Sequence, residues 1–80
     1  MTELIPLLKR AAMYSYRCEA FKKVDDIVTH AFMTRWFLNY CQDYELEKHA
    51  ILLKIDREEK NYIFRIKILK TGEIIGIKTN

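Results

Sequence analysis

Eighty residues with half the side chains apolar and 31% charged code one small globular domain with a limited core, and they exclude a disordered chain. Two glycines and one proline leave little material for long loops, and no run approaches the ~20 apolar residues that a membrane span needs. The formal charge is +3. Residues 1–46 hold six basic and six acidic side chains, and residues 47–80 hold eight against five, so the second part carries all of the excess.

The hydrophobic period changes once, near Tyr44–Lys48. Apolar residues recur every three to four positions before it and every second position after it. The first pattern is that of amphipathic helices and the second that of half-buried strands. The expected architecture is therefore α+β: one domain over 1–80, with a helical half (1–46) packed on a β half (47–80), in the order ααβββ.

The first helix is expected to start at Thr2 as N-cap, with Glu3 at the positive end of the dipole and Pro6 in or near the first turn. Leu4, Leu7, Leu8, Ala11, Ala12, Ser15, Cys18 and Phe21 track one face. The small side chains at 11, 12 and 15 let another element approach closely. The break falls at Lys22–Asp26, although the lack of Gly or Pro there also fits one long bent helix. Asp25 or Asp26 caps a second helix through about Asp43. That helix is apolar around much of its girth, with Ile27, Val28, Ala31, Phe32, Met33, Trp36, Phe37, Leu38, Tyr40 and Cys41. Such a helix is buried on more than one side. It is expected to be central, touching the first helix, the sheet and a second subunit. Phe32, Trp36, Tyr40 and Tyr44 step by four along it, beside the row Met33, Phe37 and Cys41. Phe32 and Phe37 read as core, whereas Trp36 and Tyr40 are the members left for a partner.

Three strands follow, near Ala50–Asp56, Tyr62–Leu69 and Glu73–Lys78, forming an antiparallel meander. Glu58-Glu59 or a neighbouring pair makes the first turn and Thr71-Gly72 the second. A two-residue second turn pairs Lys70 with Glu73, Ile68 with Ile75 and Ile66 with Ile77. Unbroken alternation sends Ile51, Leu53, Ile55, Tyr62, Phe64, Ile66, Ile68, Ile75 and Ile77 inward. It sends Leu52, Lys54, Ile63, Arg65, Lys67, Leu69, Ile74, Gly76 and Lys78 outward. A solvated face is normally polar, and this one interleaves aliphatics with cations. Three explanations fit: a protein interface with a basic rim, phosphate contacts by Lys54, Arg65, Lys67, Lys70 and Lys78, or ordinary strand preference for Ile and Leu with lysine stems lying over them. Stacking aromatics are missing from that face, which counts against nucleic acid. The two outer strands also present unpaired edges, with neither a proline nor a bulge signal to protect them.

No constellation of catalytic type emerges. His30 and His49 neighbour no Ser, Cys or carboxylate at triad spacing. Cys18, Cys41 and the histidines form no CxxC, HxxxH or HExxH pair, so no metal or cofactor is expected. Asp25-Asp26 reads as a helix cap and Glu58-Glu59 as a solvated turn. Met1–Ala12 carries Glu3, Lys9 and Arg10 with no apolar core, so no secretory signal is read there. Two free thiols in a reducing cytoplasm are the expectation.

The function expected is that of a non-catalytic cytoplasmic interaction module: an adaptor, inhibitor or regulator that binds a protein partner or forms a homodimer. Its contact residues are Leu52, Lys54, Ile63, Arg65, Lys67, Leu69, Ile74 and Lys78 on the sheet, with Trp36 and Tyr40 on the second helix. The alternative is a nucleic-acid-binding regulator that uses the basic β half. A ligand pocket or enzyme site near His30, Trp36 and Tyr40 comes third. No membrane partner is expected.

Overall fold

The computed structural model describes residues 3–19 and 25–79. Within them run α1 (Leu4–Glu19), α2 (Asp26–Asp43), a 3₁₀ turn (Leu46–Lys48), and strands β1 (Ala50–Glu58), β2 (Asn61–Ile68) and β3 (Ile74–Lys78). Two helices are followed by a three-stranded antiparallel sheet in the order β1-β2-β3. This is the expected α+β arrangement. The Thr2 cap, Phe21 and the break beginning at Lys22 lie outside the described residues.

α1 buries Leu4, Leu8, Ala11, Ala12 and Ser15. The Ser15 hydroxyl donates to the Ala12 carbonyl at 2.9 Å, so this small polar group is satisfied without widening the helix contact. α2 is capped by Asp25, whose carboxylate accepts from the Val28 amide at 2.9 Å. It ends at Tyr44, followed by Glu45 in the left-handed region at φ 57°. The Glu45 amide donates to the Gln42 carbonyl, as a reversed helix end requires. Leu46 then turns inward and is buried.

Only one row of α2 is fully in the core: Thr29, Met33, Phe37 and Cys41. Phe37 meets Phe64 of β2 with ring centroids 5.3 Å apart. Phe32, expected in the core, is exposed. The reason is geometric: a helix between α1 and a sheet in so small a domain is covered over only part of its circumference. Its N-terminus is tied to the first hairpin by Asp26, which accepts from Arg57 Nη1 at 2.8 Å and from the Tyr62 hydroxyl at 2.9 Å. The His30 ring Nε2–H donates to the Ile55 carbonyl of edge strand β1.

The sheet departs from unbroken alternation at one place. β1 pairs Leu52 with Ile66 and Lys54 with Arg65, leaving Leu53 as the extra residue of a β-bulge. The bulge flips the faces on its N-terminal side. Leu52, expected outward, packs against the core, and Ile51 and Leu53, expected inward, are exposed. From Ile55 onward the expected faces hold: Ile55, Phe64, Ile66, Ile68 and Ile77 are buried and Ile75 packs against them. The bulge also supplies β1 with edge protection that the sequence reading did not find.

The first hairpin turns on Glu59-Lys60, with Glu58 opposite Asn61 and Glu59 at φ 55°. The second is longer than the two-residue turn expected. The Ile68 amide donates to the Glu73 carbonyl and the Gly72 amide to the Ile68 carbonyl, so the loop occupies residues 69–72 with Gly72 at φ +76°. The register is Ile66 with Ile75 and Phe64 with Ile77, two residues away from the expected pairing. A slip of two leaves every side chain on its expected face, because the side-chain period of a strand is two.

Candidate interaction surface

The outer face of the sheet divides into two regions. At the end near the Glu59-Lys60 turn the charges are paired. Arg65 Nε donates to Asp56 Oδ2 at 3.1 Å, Lys54 Nζ lies 3.6 Å from Asp56 Oδ1, and Lys78 Nζ lies 2.8 Å from Glu58 Oε1. The Arg65 contact holds the Asp56 carboxyl below its ordinary range, and the Lys78 contact does the same for Glu58. Gly76 of β3 makes room for this arrangement: a Cβ there would sit 2.8 Å from Arg65 Nη1 and 3.2 Å from Ile63 Cγ2. Ile63 is consequently buried on a face expected to be solvated.

At the other end the face is apolar. Lys67 sits between Ile51 of β1 and Ile74 of β3 in one cross-strand row. Leu53 at the bulge and Leu69 just past β2 extend that area, and all four aliphatics are exposed. Lys67 is ion-paired with no described residue.

Of the residues singled out from sequence, the structure therefore brings Lys67, Leu69 and Ile74 into one patch. It ties Lys54, Arg65 and Lys78 to carboxylates, buries Ile63 and turns Leu52 inward. Ile51 and Leu53 take the place of Leu52. Asp56 and Glu58 were the missed members of the charged end. Period two from Lys54 reaches both of them, so the signal was present in the sequence.

α2 offers a second surface. Ile27 is 82% exposed, and Val28, Phe32 and Leu38 are exposed on the same helix. Ile27, Val28, Ala31, Phe32 and Arg35 line a shallow depression of about 470 Å³. Trp36 and Tyr40 are half-buried and turn toward α1, where Tyr14 meets them at centroid distances of 6.0 and 5.5 Å. Tyr40 stacks on Tyr44 at 4.5 Å. Tyr14 is the aromatic that sequence reasoning missed, because its partners lie on another helix.

His30 faces β1 and is not gathered with Trp36 and Tyr40, so the third expected site does not assemble. Among the described residues, no group of three His, Cys, Asp or Glu side chains is placed to hold a metal ion. Both cysteines are free. Burial pushes the Cys41 thiol up to about 11, with Glu47 adding to the shift. Among the described residues no helix is long and apolar enough to cross a membrane.

The class defined by these features is a small α+β domain with two helices on one face of a meander. No protein-family model matches the chain, and no curated protein or solved structure matches it.

Proposed function

We propose that this protein is a small non-catalytic interaction module, an adaptor, inhibitor or regulator that works in the cytoplasm by binding another protein chain. The observation that carries the reading is the outward face of α2, where Ile27, Val28, Phe32 and Leu38 are all exposed on one element. Large apolar side chains gathered on one surface favour contact with another chain over solvation. The patch of Ile51, Leu53, Leu69 and Ile74 around Lys67 adds a second contact region. The nucleic-acid alternative on the β half has less support, because three of its five cations are ion-paired to carboxylates on the same face.

The test is affinity capture of the full chain from native lysate, with and without nuclease, alongside light scattering of the purified protein. A specific protein retained after nuclease, or a defined dimer, is expected. Ile27→Asp should abolish it with an unchanged melting temperature, since that side chain is 82% exposed, and Leu38→Asp should abolish it at a cost in stability of only about 1 kcal/mol. A strict monomer that retains no protein, or capture insensitive to both substitutions and to Ile74→Asp, would overturn the proposal.

A further inference from the structure

The groove between the two helices has a different chemistry from either surface above. On α1, Arg10, Tyr14 and Arg17 follow one another at i, i+4 and i+7, which aligns them along one side of the helix over about 10 Å. The groove beside them holds about 430 Å³ and is lined by Arg10, Met13, Tyr14, Arg17, Cys18 and Tyr40. Its two lining aromatics continue into a cluster beside it: Tyr14 contacts both Trp36 and Tyr40, and Tyr40 stacks on Tyr44. Tyr14 and Tyr44 are 42% and 56% exposed, so ring surface is open to a ligand.

Arg10 and Arg17 are exposed, and neither is ion-paired with a described residue. On the sheet, by contrast, cations are neutralised or surrounded by aliphatics. Unpaired guanidinium groups flanking open tyrosine rings meet two needs of a single strand at once. Arginine forks bind phosphate oxygens, and bases stack on aromatic faces regardless of sequence. A duplex hides its base faces and satisfies only the first. An acidic peptide likewise uses the cations and leaves the rings idle. Asp43 opposes the two arginines, and its field acts on Tyr14.

We infer that the α1–α2 groove binds single-stranded nucleic acid, with Arg10 and Arg17 on phosphates and the Tyr14–Tyr40–Tyr44 rings as the stacking platform. This activity uses neither the outward face of α2 nor the sheet, so it stands or falls separately from the protein-contact reading.

Trp36 is the only tryptophan, and it touches Tyr14. Its emission is therefore a reporter built into the site. The experiment titrates the full chain against a labelled oligothymidylate of about 15 nucleotides, a length that exceeds one small site, following anisotropy and Trp36 fluorescence. Saturable binding at low salt with quenching of Trp36 is expected. Two phosphate contacts predict a slope of log affinity against log salt of about −1.4. The double substitution Arg10→Gln/Arg17→Gln should weaken binding about tenfold or more while leaving the thermal melt unchanged, as both side chains are solvent-exposed. Tyr14→Leu should weaken it about tenfold through lost stacking, and Asp43→Asn should tighten it. No binding at low salt overturns the inference. So does equal affinity for duplex DNA or polyaspartate, or binding that survives Arg10→Gln/Arg17→Gln and is lost in Lys67→Gln/Lys70→Gln.

Discussion

Deletion of Leu53 tests the bulge directly. Leu52 lies opposite Ile66 and Lys54 opposite Arg65, so removing the residue between them joins two segments already in register. The ladder becomes regular, Leu52 stays inward and Lys54 stays outward. What is lost is the covered part of one leucine. Leu53 is 47% exposed, so about half of its side chain leaves the protein interior. Full burial of a leucine is worth roughly 1.5–3 kcal/mol, which sets the loss near 1 kcal/mol. Unbroken alternation predicts a very different result. If Ile51 and Leu53 faced inward, the remaining leucine would fill the place of Leu53, but Ile51 would turn to solvent with Ala50 in its stead, an Ile-to-Ala change in the core that costs about 2–5 kcal/mol. An 80-residue domain has roughly 4–12 kcal/mol in total, so the two outcomes separate a mildly weakened protein from one close to unfolding. The assay is urea denaturation with the m-value checked for constancy, together with NOEs between the remaining leucine and Ile66. Deleting Leu52 instead yields the identical chain, which removes any ambiguity about which leucine is absent. A loss above about 3 kcal/mol, or leucine NOEs absent from Ile66, would refute the reasoning.

Phe37→Ala, at a ring in contact with Phe64, is expected to cost about 3–5 kcal/mol by the same denaturation assay, whereas Phe32→Ala should stay within about 1 kcal/mol. Glu45→Gly and Glu59→Gly each relieve a left-handed backbone at a non-glycine residue, and each should raise stability by up to about 1 kcal/mol. A fall in melting temperature for both would contradict that account. Stability should also depend on pH at both extremes. The Cys41 thiol titrates higher in the folded state than in the unfolded one, so folding holds its proton. Its contribution is complete below about pH 9 and is lost as pH rises toward about 11, at up to about 1.4 kcal/mol per unit. Cys41→Ala should flatten that limb, and a thiol reagent should label Cys18 before Cys41. On the acid side, hydrogen bonds from Tyr62 and then Arg57 lower the Asp26 carboxyl, and Arg65 lowers that of Asp56. Their contribution is present above the usual carboxylate range and disappears as pH falls through the lowered values. Asp26→Asn should remove part of this loss in pH-dependent melts.

Features that local chemistry dictates could be read from the chain alone. The change of hydrophobic period placed two helices ahead of three strands, the cap was legible as Asp25 or Asp26, and the strands from Ile55 onward declared their faces. In each case the signal lies within a few residues of its effect. Where several local patterns are equally satisfied, long-range packing makes the choice. Ile51, Leu52 and Leu53 are consecutive aliphatics, so either alternation suits them, and only pairing with β2 selects Leu52 as the inward one. The second hairpin could slip by two because that slip moves no side chain across the sheet. Phe32 and Phe37 belong to equally apolar rows of one helix, and the position of α1 and β2 decides which row is covered. The site follows the same rule. Trp36 and Tyr40 were visible as a row, but Tyr14, Arg10 and Arg17 joined them only when the two helices were laid side by side.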